Sequence, residues 1–346
     1  MKILARSVLI ISCMILFCSS TSVKLTLLRP AVIDVPQHIK TLVIIDRTAS
    51  PESRVNALEE VMTGELMRQD EQAAQNAIEG VVETIQNAPR FKIIRGTERY
   101  KGESSGMVFP EALPWRIIQN LCQKYNADGV VAIETLDSDY IVTNTSRKVE
   151  EQDKDGNKIL VVKHYAEGVA TINLGFRMYD PTGQGITDQY HFSETRRWQH
   201  SGATPAAAVQ GMIDKTASIN QTSRYAGNLY GERISPVYYT ISRYIYDKPK
   251  KNSKLTEGVR KSKVADWDGA IDAWMVAYRK GKAKHRGRAA YNIAVAYEVL
   301  GDLDKALEWS AKAYTEFDEK RADEYHHALK RRINEEAIVR MQMGEQ

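Results

Sequence analysis

Cysteine is nearly missing from this chain of 346 residues: there are three, at positions 13, 18 and 122. Two of them fall within the first eighteen residues, so the body of the protein keeps only Cys122. No disulfide can form inside that body, and no cysteine-based metal site can be built there. Cys122 shares a helical pattern with Ile117, Ile118 and Leu121, so it reads as a small buried hydrophobe. Histidine is sparse as well. The seven are scattered, His164, His191 and His200 among strands and His326-His327 side by side on a helix, and none has the i, i+4 spacing of a helical zinc site. Gly183-Gln-Gly185 sits in a turn and lacks the strand-to-helix setting of a phosphate loop. Gly-x-Ser-x-Gly is absent, and so is Ser-x-x-Lys with its companion motifs. The sequence therefore points to no catalytic residue, no metal and no cofactor. A net charge of +4 is too small to imply nucleic acid. After residue 18 no apolar run approaches the roughly 20 residues that cross a bilayer.

What the chain does have is a leader. Lys2 and Arg6 precede an apolar stretch of eleven residues, Ser7–Phe17, and Cys18 follows with polar Ser19-Ser20-Thr21-Ser22 behind it. This is the form of a bacterial lipoprotein signal, 1–18, with Cys18 as the acylated residue. Phe17 is an awkward neighbour for the lipoprotein peptidase. Cys13, after Ser12, is the alternative site, although only about six apolar residues precede it. A plain secretory signal and an uncleaved anchor helix are the competing readings. Ser19–Ser22 contains no acidic surface-export signal, so the expected location is the outer membrane, lipid-anchored and facing the periplasm.

The length suggests two domains. In the first, residues 24–246, Leu25–Ala31 and Val32–Pro36 form an extended lead-in punctuated by prolines. Buried strands are predicted at 41–46, 90–95 and 129–136 from short runs rich in β-branched residues. Helical periodicity lies between them, at 55–85 as one or two helices and again from Ile117 to Tyr125. The order β-α-β-α-β implies parallel pairing through right-handed crossovers. From Tyr140 to Trp198 alternation replaces helical spacing, with turns at Asp153–Gly156 and Asp180–Gly183, so two or three antiparallel strands extend the sheet. A helix is expected from Pro205 to about Asn228, and another from Ser235-Pro236. The fold class is thus α+β or α/β: a mixed sheet with flanking helices, followed by an all-α region.

Phe91–Ile94 with Glu98-Arg99, Ala127–Glu134 and Ala170–Gly183, taken in that order, resemble the periplasmic domain of curli-secretion-channel lipoproteins. In that family, an oligomer sends two hairpins per subunit through the outer membrane to make a pore. The resemblance implies a possible homo-oligomer. The pore itself is not carried over: Arg147–Asp155 is too charged for a lipid-facing strand, and the Pro205 helix leaves no room for a second hairpin. Over its whole length, with the signal cysteine, Leu28-Arg-Pro-Ala31 and terminal helical repeats, the chain resembles a lipoprotein family of Bacteroidota that brings no known activity.

Lys248–Lys254 is a basic linker to the second domain, 252–346. There Gly258, Ala265, Ala270, Trp274 and Ala277 align with Ala294, Gly301, Ala306, Ser310 and Ala313, each pair 36 apart. The pattern resembles tetratricopeptide repeats, with Glu319–Met343 as a capping helix. Such repeats imply a protein partner in the cell envelope, held in a groove lined by Leu255, Val259, Tyr291, Val295 and Glu298. A plain helical bundle is the competing account. The basic run 279–288 reads as a solvated loop or as a contact for lipid headgroups or an acidic partner. The expected function is a non-enzymatic interaction or assembly module. The alternative is a small-ligand or glycan binder using a sheet-end crevice near Asp46 and Asp137.

Overall fold

The computed structural model describes residues 20–49, 57–101, 108–247 and 252–345. The leader, with Cys18 and Cys13, lies outside them. In chain order the elements are β1 (Ser20–Arg29), β2 (Thr41–Ala49), α1 (Ala57–Gln86), β3 (Lys92–Lys101), α2 (Trp115–Tyr125), β4 (Gly129–Gln152), β5 (Lys158–Asp180) and β6 (Gly185–Gly202). There follow α3 (Pro205–Gln210), α4 (Lys215–Ile234), β7 (Val237–Tyr246), α5 (Ser253–Ser262), α6 (Trp267–Lys280), α7 (Ala283–Val299), α8 (Leu303–Phe317) and α9 (Lys320–Met343). The described residues form two compact units, one within 28–238 with 336–345, the other within 20–27 with 239–335.

The first of these is a sheet unit of strand order β3-β2-β4-β5-β6. β2 pairs parallel with β3 and with β4, as the alternation of strand and helix requires, and β4, β5 and β6 are antiparallel. Side-chain alternation splits the strands between two cores. Leu42, Ile44, Val131 and Ile133 face α1 and α4, while Val43, Ile45, Val130 and Ala132 face α2 together with Cys122. Helices α1 and α4 approach closely because their crossing is made of glycine. A Cβ on Gly227 would stand 1.9 Å from the Ala77 carbonyl oxygen, and one on Gly80 would stand 2.1 Å from that of Arg224. The helix expected from Pro205 is broken at Gly211. Thr204 caps α3 and Asp214 caps α4, each side chain accepting from a backbone N–H three residues on.

In the helical unit, β1 pairs with β7. The helix expected from Ser235-Pro236 is instead strand β7. Its residues, Val-Tyr-Tyr-Thr-Ile-Ser-Arg-Tyr-Ile-Tyr, are β-branched and aromatic, and that composition outweighs the Ser-Pro start signal. Helices α5 to α8 pack consecutively around Trp274, Ala290, Ile293, Ala294 and Ala306. The 36-residue alignment has a backbone counterpart. Ala265 and Gly301 both have positive φ, +60° and +82°, and each is followed by an aspartate, Asp266 or Asp302, that caps the next helix. Part of the basic run is structural. Arg286 donates to the Tyr278 carbonyl at 3.0 Å, and its guanidinium lies 4.8 Å over Phe317.

Candidate functional site

In the helical unit α7 is buried on nearly every side, and near its end it carries Glu298, only 1% exposed. A bare carboxylate in that position would be costly. Arg243 of β7 donates Nε to Oε2 at 2.8 Å and Nη2 to Oε1 at 3.0 Å. Tyr325 of α9 donates its hydroxyl to Oε2 at 2.7 Å, and Arg332 donates Nη1 to Oε1 at 3.1 Å. Both oxygens are thus doubly bonded, three times from an ionised donor. Burial holds the Tyr325 phenol well above its ordinary pKa, and the Glu298 charge adds to the rise. Burial works most strongly against the Arg243 charge, but the hydrogen bond to Glu298, the Glu298 charge and the neighbouring Tyr325 and Tyr291 together outweigh it, and its pKa is raised.

Two members of this quartet, Arg243 and Tyr325, line an open cleft of about 560 Å³, and Glu298 holds both from behind. Arg243 uses two of its five N–H groups on Glu298, so its remaining donors are free to serve the cleft. Tyr291 forms a wall, its phenol pushed up to about 12 by burial. Arg321, Glu324, Ala328 and Arg331 recur at three- and four-residue spacing along α9 and so share one face. Arg321 stacks over the Tyr246 ring at 5.2 Å. Among the described residues neither Arg321 nor Arg331 has a carboxylate within ion-pair distance. The lining therefore presents three guanidiniums and three phenols against one acid, Glu324. Planar guanidiniums match carboxylates in pairs, so the chemistry suits an anionic ligand held by its carboxylates. Neither a histidine nor a cysteine lines the cleft. Among the described residues no group of three or more His, Cys, Asp or Glu could hold a metal.

The expected groove needs correcting in position. Leu255, Val295 and Val259 are core residues, 0%, 0% and 3% exposed, and line no open surface. Leu255 packs inward, its carbonyl accepting from the Trp274 indole at 3.1 Å. Tyr291 and Glu298 are also buried; Tyr291 lines the cleft, whereas Glu298 lies behind it and anchors Arg243 and Tyr325. The sequence reading missed Arg243, because β7 was expected to be helical. It took α9 as a cap, although its Arg321, Glu324 and Arg331 are legible at helical spacing.

The sheet unit offers a smaller crevice of about 300 Å³ at the ends of β2 and β3, lined by Asp46, Gln75, Arg95, Glu98 and Arg99. Asp46 is already satisfied: it accepts from the Thr48 N–H at 2.9 Å, the Thr48 hydroxyl at 2.8 Å, Gln75 at 2.9 Å and Arg99 at 3.3 Å. Asp137 does not line this crevice. It is exposed, accepts from Asn173 at 3.3 Å, and helps burial raise the Asp70 pKa. Deeper lies a second buried quartet. Glu134, 0% exposed, accepts from Arg47 at 2.7 Å, Tyr179 at 2.6 Å and Arg177 at 3.4 Å. Arg177 also clasps the Pro110 carbonyl with both terminal nitrogens and lies 5.0 Å from the Phe109 ring. Burial, aided by Asp128 and Asp180, pushes the Cys122 thiol up to about 11, which suits a packing role.

No curated protein matches the sequence. Among solved structures, the PelC dodecamer of Paraburkholderia phytofirmans is similar at 8% identity, covering 62% of this chain and 98% of that one, with a TM-score of 0.22. A putative neuraminyllactose-binding hemagglutinin homolog of Helicobacter pylori is similar at 12% identity, covering 66% and 94%, with a TM-score of 0.25. Likenesses this slight carry neither fold nor function across. Residues 256–331 match a family described as a domain of unknown function, DUF6340. Residues 39–246 match another, and by that match the chain belongs to the family described as a domain of unknown function, DUF8603.

Proposed function

We propose that this protein is a non-enzymatic envelope lipoprotein whose helical unit, built of tetratricopeptide-like repeats, holds an acidic segment of a protein partner. The observation that carries the reading is the Arg-Tyr cleft, where Arg321 and Arg331 lack an acidic partner among the described residues and Arg243 is fixed in place by Glu298. The leader motif supports acylation of Cys18 and attachment to the outer membrane, on the periplasmic side. Solubilised membranes are the place to test this. Tagged wild type is expected to retain a partner that the variant Arg321→Glu/Arg331→Glu loses. Recovery of one partner by both proteins, or a wild type that is always alone and monomeric, would refute the reading. Mass spectrometry of the N-terminal peptide in the same sample identifies the acylated cysteine, Cys18 or Cys13.

The alternative is a periplasmic small-ligand or glycan binder using the crevice near Asp46. The position of that crevice at the carboxyl ends of parallel strands favours it. The saturated Asp46 weighs against it. A thermal-shift screen separates the two, because a ligand bound only by the folded state raises the melting temperature.

A further inference from the structure

We propose that the outer edge of β4, from Ser146 to Gln152, pairs antiparallel with the same edge of a second copy of this chain, about a two-fold axis at Val149. β2 pairs with β4 only along Gly129–Ile133. Beyond that point the side of β4 facing away from β5 has no strand partner among the described residues. On the other side, β5 pairs with β6 only as far as His164. The last six pairs, Arg147↔Lys163 to Gln152↔Lys158, therefore form a bare two-stranded ribbon. Such a ribbon is marginal in water. This one carries apolar residues on both faces: Val149, Val161 and Ile159 on one, Val162 and Leu160 on the other. Leu160 is 71% exposed and Val162 51%. An open edge of this kind is a template for another strand.

The charge order names the occupant. Arg147 and Lys148 precede Val149, and Glu150 and Glu151 follow it. A strand paired with itself about Val149 sets Lys148 opposite Glu150 of the second copy and Arg147 opposite Glu151, each pair occurring twice by symmetry. The axis of an isologous antiparallel pair passes between two like residues, so the neighbouring registers are centred on Lys148 or on Glu150. Both place like charges face to face, which disfavours them. In the Val149 register, Val161 and Val149 of each copy form one apolar row across four strands. Within the chain Glu150 binds Lys158 and Glu151 binds Lys163, both at 2.9 Å, but a carboxylate has acceptor sites to spare. The edge is short of a standard interface of ~1,600 Å², so the pairing is weak and depends on concentration.

Cross-linking tests this directly in the full chain. Under mild oxidation Val149→Cys is expected to give a disulfide-linked dimer, since position 149 lies on the axis, whereas Lys154→Cys in the turn gives little. Adding Lys148→Glu, which makes both symmetry-related pairs repulsive, should weaken the dimer about tenfold. Adding Glu150→Lys as well should restore it, because the two charges are then exchanged. Lys148, Glu150 and Lys154 are exposed and Val149 is half-buried, outside the core clusters, so folding is not at stake. A Val149→Cys chain that stays monomeric, cross-linking of Lys154→Cys just as strong, or a dimer indifferent to Lys148→Glu would each overturn the proposal.

Discussion

Glu134 in the sheet unit and Glu298 in the helical unit solve the same problem with the same parts. Each is a fully buried carboxylate held by two arginines and a tyrosine hydroxyl. They differ in what lies behind the arginines. Arg177 spends its remaining donors on Pro110 and Gln189 and is capped by Phe109, so the Glu134 quartet is closed. Arg243 keeps donors free beside a cleft that also holds Arg321 and Arg331, so the Glu298 quartet is open. The comparison teaches that a buried ion cluster does not mark a site. What sets the Glu298 cluster apart is that it backs a cleft where Arg321 and Arg331 have no acidic partner among the described residues.

The harshest way to break the comparison is to remove the acids. Glu134→Gln and Glu298→Gln each strand two guanidiniums, and each should cost about 3–5 kcal/mol, read from chemical denaturation. Adding sulfate should recover part of the loss in Glu298→Gln, where an anion can enter, and none in Glu134→Gln. Next come the phenols. Tyr179→Phe and Tyr325→Phe each remove one hydrogen bond to a carboxylate and should cost about 2 kcal/mol in the same measurement.

The pH dependence is smaller and belongs to the open quartet's wall. Tyr291 is held up to about 12 by burial, so the folded state keeps a proton that the unfolded chain releases near 10. The helical unit should therefore keep this stabilisation below pH 10 and lose it as the pH rises towards 12, seen as a falling urea midpoint. Smallest of all, Arg321→Ala and Arg331→Ala should shift stability by no more than about 0.5 kcal/mol, as expected of exposed residues. A larger loss in either would mean that these arginines brace the fold, and the contrast with Arg177 would fail.

The strands at Thr41, Lys92 and Gly129 were legible because short β-branched runs alternate with helical spacing, and that order dictates parallel pairing. The 36-residue repetition was legible because small residues and a helix-starting acid recur together, at Ala265-Asp266 and Gly301-Asp302. β7 was misread because Ser235-Pro236 is a local signal, while the strand is settled by pairing with β1, more than 200 residues earlier. The groove residues were misplaced for a physical reason. Apolar periodicity reports the face a helix buries, so Leu255, Val259 and Val295 mark the core. The cleft joins β7 to α9 across roughly 80 residues of chain, and no local pattern records which face of α9 meets Arg243.

The central claim is that the open quartet receives carboxylates. Fluorescence anisotropy of a labelled hexaglutamate peptide, titrated with the full chain at low and high salt, tests it most directly. Salt-sensitive binding is predicted for the wild type and for Arg47→Lys in the closed quartet, with at least a tenfold loss in Arg321→Glu/Arg331→Glu. Equal binding by the reversed variant, or none by the wild type, would contradict it.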